Sequence, residues 1–265
     1  NIDVFCYALG AASEFPQCFL NINRKKEQKR IVKDSLVEIF SFIKYLKPKI
    51  FFPAGGTYSI YGKFNNLNKY IAQPSFKQIE EKISKLNTKV YNLIGGGSLE
   101  FSKGNIFHLN KSKKLNKSFI NKYNNKIKKI DYYYNKNRKK CNLVKLDKNF
   151  NRAKENYFNI LSRKKKINTN WDINFKIYKN YEINDKCKID QKKSLFLSTY
   201  NLRNHSINKK KFYKLDCHIE YKLFDALIKG IFPWNTSLSG STIMYNRVPN
   251  KFNVDMLFSL NFLKI

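Results

Sequence analysis

Lys47-Pro48-Lys49-Ile50-Phe51-Phe52-Pro53-Ala54-Gly55-Gly56-Thr57-Tyr58 is the stretch on which the fold of this chain turns. Ile50 to Phe52, followed by Pro53, form a short apolar run of the kind found in strands buried on both faces. Ala54-Gly55-Gly56 then lets the backbone turn with nothing larger than a methyl group in the way. In an open α/β sheet, ligands sit beyond the carboxyl ends of the strands, so a strand ending in such a loop marks a possible ligand rim. A single loop of this kind is equally well explained as a tight turn that needs glycine.

The pattern recurs on both sides. Ile2 to Tyr7 reads as an apolar strand and runs into the small-residue loop Leu9-Gly10-Ala11-Ala12-Ser13. Glu14 to Phe19 continues as an extended segment interrupted by Pro16. Lys25 to Leu46 then places Val32, Leu36, Ile39, Phe40, Ile43 and Leu46 at spacings of three and four, the stripe of an amphipathic helix. Pro48 ends it by disfavouring helical geometry at Lys47. Strand, helix and strand at this spacing form a βαβ unit, so 2–7 and 49–53 are expected to run parallel with both loops on one edge. Tyr58 to Tyr70 reads as a polar excursion. Pro74-Ser75 opens a second helix, with Ser75 and Gln78 at capping-box spacing and Phe76, Ile79, Ile83 and Leu86 as its stripe. Val90 to Ile94 is a third strand, and Gly95-Gly96-Gly97 follows it. Three successive strands ending in loops stripped of side chains point to a ligand-facing rim.

From Lys111 to Asn170 the composition changes. Twenty Lys and Arg stand against three acids (Asp131, Asp147, Glu155), a net of +17, with no glycine and with Tyr132-Tyr133-Tyr134 inside the basic run. Apolar periodicity is poor, so the segment reads as a helical or partly ordered basic insert. Basic residues interleaved with tyrosines can hold single-stranded nucleic acid by stacking, but no compact RNA-binding motif accompanies them. After Trp171 strand patterns return at Ile173–Tyr178, Leu195–Tyr200, Phe212–Ile219 and Ser241–Arg247. Tyr221 to Lys229 is a short amphipathic helix with Gly230 as its C-terminal cap, and Asn253 to Leu263 ends the chain with a helical face.

A net charge of +33 over 265 residues invites a polyanion as partner. Lys, Asn and Ile are abundant throughout, however, as in an AT-rich gene that pushes surface positions toward those codons, and the charge then only solvates the surface. Five scattered cysteines without a Cys-x-x-Cys pair argue against a zinc ribbon and for a reducing, cytoplasmic setting. No apolar run is long enough for a membrane-spanning helix. The start at Asn1-Ile2-Asp3-Val4, directly in a strand, leads us to expect that the natural protein begins further upstream. The three histidines, His108, His205 and His218, have no partner at metal-ligand spacing. There is neither a Gly-x-Ser-x-Gly elbow nor a phosphate loop.

Ala11-x-x-x-Phe15-Pro16-Gln17-Cys18-Phe19, the long helix, Leu46-Lys47-Pro48-Lys49-x-Phe51-x-Pro53-x-Gly55-Gly56-x-Tyr58 and Leu67-Asn68-Lys69-Tyr70 closely resemble metallo-β-lactamase-fold hydrolases. The nearest subset holds the hydrolase-like part of CMP-N-acetylneuraminate hydroxylases and their bacterial relatives. Trp234-Asn235-x-x-x-x-Gly240-Ser241 and Arg247-x-Pro249 resemble that subset's C-terminal segment. The resemblance covers 1–100 and 230–265.

It implies an α/β fold: the C-terminal half of an αββα sandwich over 1–110, a basic insert or linker over 111–170, and a small α+β domain over 171–265. It further implies the C-terminal portion of a metal-dependent hydrolase-like enzyme, or a related oxidoreductase, acting on a small-molecule substrate. Gly10, Ala11, Pro16, Gln17, Gly55, Gly56, Tyr58 and Asn68 would shape the pocket. The family carries zinc or iron on a His-x-His-x-Asp-His loop with a further His and a bridging Asp. No stretch of this sequence matches that loop, so the chain alone is expected to bind no metal and to be inactive. The alternative is a basic nucleic-acid-binding protein using Lys111 to Lys166.

Overall fold

The structure is a computed structural model that describes residues 2–10, 13–55, 58–93, 96–102, 105–110, 116–136, 142–164, 167, 171–203 and 213–265. The architecture is mixed α/β with several separate sheets and no barrel. Two compact units divide the chain, one formed by Asn1–Ala12, Asn23–Ser59 and Tyr70–Lys126, the other by Ser13–Ile22, Ile60–Lys69 and Ile127–Ile265.

The first unit begins with β1 (Val4–Tyr7), α1 (Arg24–Leu46), β2 (Ile50–Pro53), α2 (Phe76–Ile83) and β3 (Lys89–Val90). The three strands form a sheet in the order β1-β2-β3, and both pairings are parallel. The βαβ expectation therefore holds, with Val4 opposite Ile50 and Tyr7 opposite Pro53. Asn23 caps α1 by accepting from the Lys26 amide, and Lys47 ends it in the left-handed region at φ 47°, where the following proline does not clash. Ile39 and Ile43 are the buried members of the α1 stripe, and they pack with Leu9, Phe51, Ile79 and Ile83. Ser75 and Gln78 form the expected capping box of α2, each side chain serving the other's backbone amide. β3 is shorter than the 90–94 read from sequence. Its last ladder bond runs from the Tyr91 amide to the Phe51 carbonyl, and the next residues would face Pro53, which has no amide to donate. An antiparallel hairpin follows, β4 (Ser98–Ser102) and β5 (Asn105–Asn110), which the periodicity had not indicated. After it comes α3 (Lys117–Lys128).

The second unit holds α4 (Tyr133–Lys136), α5 (Leu143–Arg163), β6 (Trp171–Asn180), β7 (Leu195–Leu202), β8 (Tyr213–Glu220), α6 (Tyr221–Ile228), α7 (Trp234–Ser239), β9 (Met244–Val248) and α8 (Val254–Ser259). Its sheet has the order β7-β6-β8-β9, with β6 and β8 parallel and both edge strands antiparallel. A strand forms at each of the four places read from the sequence, though β9 begins at Met244 rather than Ser241, and Phe212 lies outside the described residues. Trp171, Ile173, Phe175 and Ile177 of β6 point to one face, where Phe175 meets the rings of Phe150, Phe224 and Trp234.

The helical reading of 111–170 is met by α3, α4 and α5, but the poor apolar periodicity read there does not hold for α5. α5 buries Leu146, Phe150, Ala153, Tyr157 and Leu161 at spacings of four, three, four and four, a regular stripe hidden in the sequence by the Lys and Asn on its other faces. Tyr58 to Tyr70 is likewise no mere excursion: Gly62–Tyr70 is a 3-10 helix that buries Phe64 and Leu67. The compact units also cut across the divisions expected at 110 and 170. Ser13–Ile22 belongs to the second unit because Leu20 donates to the Tyr245 carbonyl at 2.8 Å and the Tyr245 amide to Cys18 at 2.9 Å, adding a short parallel rung beside β9. Cys6, Cys18, Cys187 and Cys217 are free thiols, and Cys141 lies outside the described residues. No described helix is long and apolar enough to cross a membrane.

Candidate functional site

In the first unit the parallel register sends the carboxyl ends of β1, β2 and β3 to one edge. The Ala54 amide donates to the Tyr7 carbonyl at 3.0 Å, so the loops after β1 and β2 leave side by side. Gly10 follows at φ +130° and Gly55 at φ +66°, both outside what most L residues adopt. A Cβ built on Gly55 or on Gly96, which has φ +97°, would meet nothing within 4 Å. Tyr58 is half-buried beyond the second loop. Ala11 and Gly56 lie outside the described residues, as does Gly95. At Gly55 and Gly96 the described part of this edge presents backbone, whereas a Cβ on Gly10 would stand 3.8 Å from the Gln73 side chain.

Pro16, Gln17 and Asn68 belong to the second unit, and the structure gives two of them bracing roles. Gln17 is fully buried; its Nε2 donates to Ser241 Oγ at 3.1 Å, across 224 residues of sequence, and to the Ser13 carbonyl. Asn68 is committed to its own loop, accepting from the Ile60 amide at 2.7 Å and donating to the carbonyls of Ile60 and Asn65. Around Gln17 the two segments that carry the family resemblance meet. The Arg247 guanidinium lies 4.5 Å from the Phe19 ring centre and 5.5 Å from that of Phe15, while its Nη2 donates to Asn250 Oδ1 at 2.9 Å. Asn21 brackets the same residue, donating to the Arg247 carbonyl and accepting from its amide. Burial pushes the Glu14 carboxyl up, and the nearby Arg247 charge opposes that shift. This buried Glu–Arg cluster, 8% and 4% exposed, ties Ser13–Ile22 to β9 and is shielded from solvent.

A second polar assembly covers one face of the β7-β6-β8-β9 sheet. Because β8 alternates, Leu215, Cys217 and Ile219 face the core while Asp216, His218 and Glu220 face the other way. Asn201 donates to Asp172 at 2.6 Å and to Asn174 at 2.8 Å, Asn174 donates to Asp216 at 2.9 Å, and Lys176 pairs with Asp216 at 3.0 Å. Burial raises the Asp216 carboxyl, but these hydrogen bonds and the charges of Lys176 and Lys214 more than offset it and leave it below the ordinary value. Glu220 is pushed up by burial, against the pull of Lys63 at 2.7 Å. The His218 ring is bracketed by the Tyr178 hydroxyl at 2.9 Å and the Asn246 amide at 3.3 Å. Among these residues the sequence had singled out only His218, as a histidine without a partner at metal-ligand spacing. The row was legible as polar alternation on β8, but not its partners on β6 and β7.

Burial, then the charge of Lys176, lowers His218 from 6.5 to about 4. The folded state thus favours the neutral ring. Its contribution is fully present above the unfolded value and is lost as pH falls from 6.5 toward about 4. We expect up to about 3 kcal/mol to disappear over that window. Urea denaturation at pH 7 and pH 4.5 measures it, and His218→Gln should flatten the difference between the two. An equal pH dependence in wild type and variant would rule out this titration.

Comparison of the chain with family models, with curated proteins and with solved structures found no match. The zinc or iron implied by the resemblance finds no fitting set of side chains among the described residues. Among the described residues no three His, Cys, Asp or Glu side chains are grouped to hold a metal ion. Both ring nitrogens of His218 are engaged, and His205 and the His108 side chain lie outside the described residues.

Proposed function

We propose that this chain is the substrate-binding C-terminal portion of a metal-dependent, hydrolase-like enzyme of the metallo-β-lactamase fold. The observation that carries the reading is the edge at which β1, β2 and β3, all parallel, release Gly10, Gly55 and Gly96 in positive-φ turns. A rim lined by backbone lets a small-molecule substrate approach closely and offers amide groups to its polar atoms. The sheet of the first unit would form part of one half of the αββα sandwich. The second unit supports this role through Gln17 and Arg247, which hold together the two segments that resemble the family. Both residues are buried and brace these segments from within.

On this reading the metal is held by residues that this chain does not supply. Metal analysis of the purified, tag-free chain should therefore give far less than one zinc or iron per chain, and added metal should induce no hydrolysis of ester, lactone or β-lactam substrates. A stoichiometric, chelator-sensitive metal would overturn the proposal. In an enzyme that carries this chain together with a His-x-His-x-Asp-His loop, Gly55→Ala should lower turnover far more than thermal stability.

A further inference from the structure

A cleft of about 340 Å³ lies wholly within the second unit, between α4, the start of α5 and α6. It is independent of the sheet rim discussed above. Two rings stand at its wall, Tyr133 and Phe232, in edge-to-face contact with centres 5.8 Å apart. Tyr133 is 63% exposed, so its ring is held at the protein surface. Three lysines line the same cleft, Lys145, Lys222 and Lys229, with one acid, Asp225. Asp225 is already committed: it pairs with Lys229 and accepts from Asn149. Lys145 and Lys222 form no ion pair among the described residues, although the Lys222 charge draws on the neighbouring Glu220 carboxylate, so positive charge prevails beside the aromatic wall.

A separate observation points inward. Tyr134 lines the cleft and is 9% exposed, yet its hydroxyl has no hydrogen-bond partner among the described residues. A buried hydroxyl without a partner has lost its water and gained nothing in exchange. Burial, and then the charge of Glu220, hold this phenol well above its ordinary pKa, so it is a neutral donor at physiological pH. One cavity thus brings together a hydroxyl without a partner among the described residues, two lysines in no described ion pair and a ring wall. Lys145 is exposed and Lys222 half-buried, and the two are distinguished from the other surface lysines by lining a cleft that also holds the two rings.

We propose that this cleft is a binding site for a small ligand that joins a planar ring to an anionic group, a phosphate or a carboxylate. The ring stacks against Tyr133 and Phe232, the anion is met by Lys145 and Lys222, and the Tyr134 hydroxyl donates to it. Aromatic contact supplies affinity and the lysines supply orientation.

Isothermal titration of the whole chain with phenyl phosphate, benzoate, inorganic phosphate and phenol tests this. Phenyl phosphate or benzoate should bind saturably at one site, at least tenfold more tightly than inorganic phosphate or phenol. A clear preference for phenyl phosphate identifies phosphate as the anion; a preference for benzoate identifies carboxylate. Lys145→Gln/Lys222→Gln should weaken the preferred ligand tenfold or more, and Tyr133→Ser should do the same while leaving inorganic phosphate unchanged. Tyr134→Phe is the arm that a purely structural residue would not satisfy: binding should fall at least threefold while the melting temperature stays level or rises. Absence of saturable binding for both ring-bearing anions, or binding that the lysine pair does not affect, overturns the proposal.

Discussion

Phe175→Ala should be the most damaging single truncation in the second unit, costing about 3–5 kcal/mol. Phe175 has no exposed surface and sits at the centre of β6, with ring centres 5.0 Å from Phe224, 5.6 Å from Trp234 and 6.4 Å from Phe150. Those neighbours come from α6, α7 and α5, so the void cannot be filled by shifting a single element. Close packing leaves no spare side chain to relax into it. The measurement is straightforward because both tryptophans, Trp171 and Trp234, are buried in this unit. Their fluorescence during urea denaturation follows it without interference from the first unit. Phe175→Leu, which keeps most of the volume, should lose about 1–1.5 kcal/mol. If Phe175→Ala lost no more than Phe175→Leu, the ring cluster would not be the core of this unit.

Gly62→Ala should cost about 2–4 kcal/mol, for two additive reasons. Gly62 has φ +63°, and a Cβ there would stand 2.9 Å from the Ile130 carbonyl oxygen and 2.9 Å from Tyr132 Cζ. The carbonyl is backbone and cannot swing away. Tyr132 is itself fixed, since its hydroxyl donates to the Tyr61 carbonyl at 2.7 Å and its ring stacks on Tyr134 at 5.3 Å. Gly55→Ala is the natural control. It has nearly the same φ of +66° but meets no atom within 4 Å, so only the backbone strain of about 1 kcal/mol remains. Chemical denaturation followed by far-ultraviolet circular dichroism compares the two. Equal losses would mean that the close approach at Gly62 carries no energy.

Leu36 illustrates where the helical pattern reads too evenly. It shares the α1 stripe with Ile39 and Ile43, but they are 1% exposed while Leu36 is half-buried against the core. A stripe marks which face of a helix turns inward, whereas the depth of each position depends on what is laid over it. The same limit applies to α5. Its apolar positions were in the chain to be counted, but twenty basic residues in the surrounding sixty made the segment look like an insert.

What the sequence determined by itself is local and rests on short-range physics. The stop of α1 at Lys47 follows from Pro48, the capping box of α2 from Ser75 and Gln78, and the inward and outward rows of β8 from alternation. The parallel pairing of β1 and β2 also follows, because a connection that holds a long helix is the crossover that parallel neighbours require. The tertiary structure alone decided which distant residues meet. Gln17 reaches Ser241, Arg247 lies over Phe15 and Phe19, and Tyr178 finds His218 on the neighbouring strand. None of these pairs has a spacing that periodicity can detect, since each depends on strand order and register. Those are set by burying the whole apolar surface at once, so a residue's own neighbours in sequence carry no record of its partner.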